Sequence, residues 1–247
     1  MSRYGTLSDD FYVNMNLATE LDLPPSRESI LHFFEQMRRR FPQLRNFYAR
    51  EKDEYVLEED KEGGDYRWCS IEPKRVNSGV VNPAEYEDAI AQHQQILEAV
   101  PYDLSITPLD CESLSITLGF DFAYRGNHNE LLAKAIGVAP GLEKFSAAGY
   151  GSLLAHEPSL TISLDDACRT QCRINFEART TAYQVRSGEY GEDQLSVYLT
   201  VRRYDSLDPD VTYAQECRRL AGLASDVADE FLVENVLQPL QQAISIS

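Results

Sequence analysis

The sequence contains no G-x-G-x-x-G, no Walker loop, no G-x-S-x-G, no H-E-x-x-H and no EF-hand loop. The well-marked nucleotide-binding, α/β-hydrolase, zincin and calcium-loop classes therefore have no signature in it. Basic residues are scarce: 23 Lys and Arg stand against 40 Asp and Glu, a formal charge of −17. A field of that sign repels phosphate backbones and anionic lipid, so neither nucleic acid nor a membrane surface is an expected partner. No apolar run approaches the roughly 20 residues that span a bilayer, and the opening MSRYGTLSDD has no apolar core of signal-peptide length.

Cysteine is sparse too. The five cysteines are odd in number and form no C-x-x-C pair. Cys168 and Cys172 are four apart in a stretch that reads as a strand, a spacing of about 13 Å that exceeds disulfide and zinc reach. Reduced thiols and a cytoplasmic location are expected. No cofactor is implied. No two of the four histidines have metal-ligand spacing, and no metal site is expected.

What the chain does have is apolar and aromatic material: 43% hydrophobic residues, 14 tyrosines, 10 phenylalanines and one tryptophan. That suffices for a sizeable core. Its patterning is that of an α+β protein, with antiparallel strands and helices packed on one face. Phe11, Val13, Met15 and Leu17 alternate with Tyr12, Asn14 and Asn16, a half-buried strand. After a Pro24-Pro25 break, Ser26 stands as N-cap to a helix carrying Ile30, Leu31, Phe33, Phe34, Met37 and Phe41, stopped by Pro42. Strand segments at 47–50, 55–58 and 66–71 read as a meander. Asn82-Pro83-Ala84-Glu85 then opens a second helix with the stripe Tyr86, Ala89, Ile90, His93, Ile96, Leu97 and Val100, ended by Pro101.

The strongest strand follows, with Leu114, Ile116, Leu118, Phe120 and Phe122 on one face and Ser113, Ser115, Thr117, Gly119 and Asp121 on the other. Asn127 caps a short helix closed by Gly137. Residues 139–151 read as a loop with a helical turn. Strands follow at 160–164, 172–178 and 195–201. Thr212-x-x-Gln215 caps a long helix with the stripe Cys217, Leu220, Ala221, Ala224, Val227, Ala228, Phe231 and Val236, which Pro239 should kink or end. Residues 1–103 and 109–247 thus form an N-terminal and a C-terminal α+β half. Two similar β-α-β-β-α units and one continuous domain both fit this order.

Three features bear on function. Arg169, Gln171, Arg173, Asn175, Glu177 and Arg179 share the outer parity of one late strand, and Ser196, Tyr198, Thr200, Arg202 and Tyr204 that of the next; if the two strands pair, these side chains lie side by side. Guanidinium forks beside flat phenol rings make recognition surfaces, although a solvated sheet face has the same composition. The leading expectation is a non-catalytic protein that binds a protein or a small anionic ligand there, with Arg169, Arg173, Tyr198 and Arg202 as contacts. The rival is a hydrolase-like small-molecule enzyme with its site near Arg125, His128 and Asp121, where a helix N-terminus follows the best strand. Against it stands a plain capping box of Asn127 and Glu130 with His128 exposed.

The carboxylates of Glu58, Glu59, Asp60, Glu62 and Asp65 read as a solvated hairpin tip. Asp110 and Glu112 oppose thiolate formation at Cys111. Finally, the C-terminal helix pattern is longer than a sheet of short strands can cover, which suggests a homodimer formed through that helix.

Overall fold

The computed structural model describes residues 3–23, 26–51 and 53–246, and the side chains of all of these except 146 and 147. The described residues form nine strands in one antiparallel sheet, in the spatial order β2-β3-β4-β5-β1-β6-β9-β8-β7. The strands are β1 (Asp10–Thr19), β2 (Asn46–Glu51), β3 (Glu54–Glu58), β4 (Tyr66–Glu72), β5 (Arg75–Val81), β6 (Cys111–Tyr124), β7 (Ser159–Ser163), β8 (Thr170–Glu177) and β9 (Asp193–Tyr204). The helices are α1 (Arg27–Arg40), α2 (Tyr86–Asp103), α3 (His128–Ile136), α4 (Pro140–Ala147), α5 (Ala182–Ser187), α6 (Tyr213–Val227) and α7 (Gln238–Ser245). A π-helical stretch, Ala228–Leu237, joins the last two.

The expected α+β class, with helices packed against an antiparallel sheet, is what the chain adopts. Each half winds the same way. In the first, β1 bonds to the last strand of its half, β5, with β4, β3 and β2 beyond it; in the second, β6 bonds to β9, with β8 and β7 beyond. The halves meet where β1 pairs with β6 over its whole length, Asp10 opposite Asp121 and Leu17 opposite Leu114.

Alternation decides which side chains enter the core. Phe11, Val13, Met15 and Leu17 of β1, Leu114 to Phe122 of β6 and Leu195 to Val201 of β9 send every second residue into one buried cluster. Helices α2 and α6 cover it and are tied together where the buried Tyr86 hydroxyl donates to the Ala221 carbonyl, 2.8 Å. The full α2 stripe is buried, His93 included.

Caps read from sequence hold at Ser26, which accepts from Ser29 N, at Asn127, which accepts from Asn129 N, and at Thr212 with Gln215. The Pro24-Pro25 break lies outside the described residues.

Several local expectations give way to tertiary context. Strand β5 is additional to the expected meander, because Ser78 stands between Val76 and Val80 on its buried face and interrupts the apolar alternation. Asn82 does not cap α2. Its backbone is left-handed (φ 47°), and its side chain accepts from Phe11 N while donating to Asp10 Oδ1 and the Gly64 carbonyl. Helix α2 runs through Pro101 to Asp103, since proline in a last turn forfeits a single bond. Segment 139–151 holds a whole helix, α4. Cys168 lies in the β7–β8 turn with φ 56° instead of in a strand.

The C-terminal helix does not stop at Pro239. Leu220, Ala224, Ala228, Leu232, Val236 and Leu240 are buried at a strict interval of four. A 3.6-residue turn carries such a row off the contact face, and i→i+5 bonding widens the turn and brings it back. Phe231, expected inside, is 48% exposed and Leu232 takes its place. Pro239 falls in the first turn of α7, where it lacks no needed donor. The Ala-rich stripe expected to meet another subunit (Ala221, Ala224 and Ala228) is buried within the chain itself.

Candidate functional site

With the helices on one side, the other side of the sheet presents a polar face. Register fixes its rows. One row crosses from Trp68 (β4) over Gly79 (β5), Asn14 (β1), Thr117 (β6) and Thr200 (β9) to Arg173 (β8). That is five strand spacings, about 24 Å. The next row toward one end carries Ser70, Asn77, Asn16, Ser115, Arg202 and Gln171, and toward the other Tyr66, Val81, Tyr12, Gly119, Tyr198 and Asn175.

Two glycines shape the middle of this face. A Cβ on Gly79 would collide with the Trp68 indole, and one on Gly119 would collide with the Tyr12 ring. Each aromatic therefore lies flat over the glycine opposite it on the neighbouring strand, as cross-strand pairs allow. Below the first pair, the buried Gln92 of α2 donates to the Gly79 carbonyl and to Ser78 Oγ (3.2 and 2.9 Å), and Ser78 Oγ also meets His93 Nδ1 at 3.0 Å. The helix layer thus holds the floor from beneath.

Over this floor lies a cleft of about 490 Å³ lined by Asp10, Tyr12, Asn14, Arg50, Glu58, Lys61, Gly64, Tyr66, Trp68, Val81, Asp121 and Gln194. Asn82 ties its rim together, joining β1, the Gly64 loop and Asp10. Asp10 and Asp121 face each other across the β1–β6 pair. Burial raises the Asp121 carboxyl above the ordinary range, and the Asp10 charge adds to this against the opposing effects of Ser196, Arg179 and Tyr12. Tyr12 donates to Asp121 Oδ1 at 3.4 Å and contacts the Tyr198 ring edge-on. Its hydroxyl is raised, first by burial and then by Tyr198 and Asp121. Asn14 Oδ1 is buried without a hydrogen-bond partner among the described residues. At the outer rim the Lys61 ammonium bridges Glu58 (2.9 Å) and stands 5.2 Å from the Tyr66 ring centre.

The Arg/Tyr flank is brought together as its spacing implied. Gln171 pairs with Arg202, Arg173 with Thr200, Asn175 with Tyr198 and Glu177 with Ser196. Its arginines differ in their partners. Arg169 meets Asp205 at 3.3 Å, and Arg179 reaches Glu177, Ser196 and the Gln194 carbonyl. Arg173, by contrast, donates to Ser159 Oγ at 3.0 Å, and Arg202 donates to Tyr204 Oη at 3.3 Å and lies over that ring. Arg202 Nε is buried without a partner among the described residues. The Tyr198 hydroxyl donates to Glu177 at 2.8 Å.

Arg125 and His128 lie apart from this constellation, around the turn beyond β6. His128 is 1% exposed, and both ring nitrogens are engaged by backbone: Nε2 with the Tyr124 carbonyl (3.3 Å), Nδ1 with Arg179 N (3.2 Å). Burial lowers its pKa. The imidazole pins the β6–α3 turn to the segment after β8, and Arg125 Nε donates to the Tyr190 carbonyl. The expected capping box is replaced by the Asn127–Asn129 bond alone.

Other sequence candidates resolve simply. Cys69, Cys111 and Cys217 are buried thiols, each pushed up to about 12 by burial. His32 is exposed beside Asp103. Among the described residues no three His, Cys, Asp or Glu side chains gather as metal ligands, and no helix is long and apolar enough to cross a membrane.

Of the cleft residues, Asp121 was a sequence candidate, beside Arg125 and His128, whereas Asp10, Tyr12, Asn14 and Trp68 were not singled out as site residues. The available signal was a glycine inside each of two strand segments, Gly79 and Gly119, which marks a close approach from a neighbour. Comparison with known protein families and with curated proteins gave no match.

Proposed function

We propose that this chain is a non-catalytic binding protein whose open sheet face takes an elongated polar ligand, an anionic group over Arg173 and Arg202 and a flat group over Tyr12 and Trp68. The observation that carries the reading is the state of those two arginines. In a chain with 40 acidic residues, Arg169 and Arg179 on this face have carboxylate partners, whereas Arg173 and Arg202 bond to hydroxyls. A guanidinium with spare donors beside aromatic rings favours a carboxylate or phosphate. Tyr198 and Tyr204 supply flat contact area beside them.

The test is titration calorimetry with citrate, pyrophosphate and a glutamate-rich peptide as probes. At least one is expected to bind the wild type, and the Arg173→Glu/Arg202→Glu double variant should lose at least tenfold in affinity, the equivalent of about 1.4 kcal/mol. Undiminished binding by the double variant sinks the reading, as does a failure of every probe together with native mass spectrometry that finds no co-purified ligand.

A second reading is acid–base chemistry, and the cleft favours Asp121 over His128 for it. A half-buried carboxyl with a raised pKa opposite a second carboxylate is the arrangement in which one group stays protonated while the other ionises. Turnover of a chromogenic glycoside or ester that disappears in Asp121→Asn would favour it over simple binding.

Free thiols at all five cysteines support a reducing, cytoplasmic setting. Homo-oligomerisation belongs to the same proposal; the buried Ala stripe of the C-terminal helix directs attention to other surfaces.

A further inference from the structure

The two edges of the sheet are built differently. Edge strand β2, Asn-Phe-Tyr-Ala-Arg-Glu, carries charges at Arg50 and Glu51 and a register break between Ala49 and Glu51. Those devices discourage edge-to-edge pairing. Edge strand β7, Ser-Leu-Thr-Ile-Ser, has no charge, no proline and an unbroken register with β8. All five of its residues are exposed, with Leu160 at 67% and Ile162 at 49%.

The direction of its free backbone groups follows from the hydrogen bonds. Leu164 N donates to the Thr170 carbonyl, and Tyr204 N to the Arg169 carbonyl. Even-numbered residues of β8 therefore bond to β7, and odd-numbered ones to β9. On β7 it follows that Leu160 and Ile162 point their N–H and C=O groups at β8. Ser159, Thr161 and Ser163 point theirs outward, with no described strand to receive them.

We propose that β7 pairs antiparallel with β7 of a second copy about a two-fold axis at Thr161. The segment is self-complementary about that residue. Thr161 opposes its own counterpart as a hydrogen-bonded pair, and Ser159 opposes Ser163 of the other copy on each side. All the outward N–H and C=O groups of the three residues are then used. Leu160 meets Ile162 of the other copy at a non-hydrogen-bonded position, where side chains approach most closely.

A foreign peptide would satisfy the same groups but has no reason to be matched to this palindrome. Each copy carries −17, so an uncharged contact strand is what lets two copies approach. The nearest flanking carboxylates are turned back onto their own backbone, Glu157 accepting from Ala178 N and Asp165 from Arg169 N and Thr170 N. A two-fold axis perpendicular to the sheet keeps both open faces on the same side, so two Arg173 flanks adjoin across three strand spacings, about 14 Å. The inference rests on the edge geometry and stands independently of any ligand.

A five-residue edge lies at the low end of interface size, so the dimer's Kd is about micromolar or larger. The closing experiment is light scattering on the full chain from about 1 to about 300 µM, a range that brackets that affinity. The expected mass rises from 28.0 kDa toward twice that value, and rises further with added salt, which screens the like charges. Thr161→Pro removes an outward donor without touching the β7–β8 bonds, and Ile162→Lys puts a charge at an exposed contact position. Both variants should stay monomeric throughout.

Hydrogen exchange adds a residue-level readout: amides of Ser159, Thr161 and Ser163 become protected only at high concentration, while those of Leu160 and Ile162 are protected throughout. A wild type that remains monomeric at the highest concentration overturns the proposal, as does a dimer that persists in Ile162→Lys. Should Thr161→Pro fail to fold, the lysine variant and the amide pattern decide alone.

Discussion

The two faces of the sheet are made by the same strands and obey opposite rules. On the covered face, β1 and β6 contribute Phe11, Val13, Phe120 and Phe122, all buried under α2, α6 and Tyr4. On the open face the same strands contribute Tyr12, Asn14, Thr117 and Asp121. Covered positions contribute stability through apolar burial, whereas open positions are tied by hydrogen bonds and are the ones to which the proposed function assigns recognition. The difference teaches that substitutions one residue apart should separate folding from binding almost completely.

The sharpest way to break that comparison is Phe120→Ala. Its ring packs against Phe11 and Tyr4 with no exposure. The expected cost is about 3–5 kcal/mol in a urea melt; a cost below about 1 kcal/mol would mean that the covered face is not the stabilising one.

Acid titration comes next. His93 is fully buried, and desolvation, only partly offset by the Val13 backbone, pushes its pKa down to about 3 from about 6.5. The unfolded chain then binds the extra proton first. This share of stability is complete above about pH 6.5 and is lost as pH falls toward about 3, with a slope of at most about 1.4 kcal/mol per pH unit. A His93→Gln variant should show a shallower decline over that window; an unchanged decline would assign acid sensitivity to other groups.

A smaller effect probes the boundary between the faces. Gly119→Ala places a methyl group where the Tyr12 ring lies. It should cost about 1–3 kcal/mol by thermal melt and also displace the ring, so that probe binding weakens together with stability. Loss of stability with full binding would show that the ring does not belong to the binding surface.

The smallest stability change belongs to Arg173→Glu with Arg202→Glu. Both are on the open face with no carboxylate partner among the described residues, and unfolding should shift by no more than about 0.5 kcal/mol. A large destabilisation would make these arginines structural, and the loss of binding uninterpretable as recognition.

Legibility in the sequence followed the range of the interaction. Alternation in β1, β6 and β9, the stripe of α2 and the caps at Ser26, Asn127 and Thr212 were all legible, because each depends on residues within a few positions of one another. The Arg/Tyr flank was legible for the same reason: β8 and β9 carry their parity locally. The cleft was not. Tyr12 meets Gly119 and Trp68 meets Gly79 only through cross-strand register, which a window along the chain does not contain.

His128 shows the converse error. A helix N-terminus after a strand looks exposed locally, but a segment 51 residues on closes over it and takes its Nδ1. At the C-terminus, Phe231 gave way to Leu232 because π-type turns reset the phase of the stripe.

The amino-acid sequence by itself determined that this chain builds an acidic α+β fold with strands apolar on one side and polar on the other. Period-two and helical spacing are properties of consecutive residues, so it needed nothing more. Only the tertiary structure decided which polar residues share a row, which arginines bond to hydroxyls and not to carboxylates among the described residues, and that β7 stands at an edge of the described sheet. Those follow from strand order and register, set when distant segments bury their apolar faces together, and a one-residue slip would reassign every one of them.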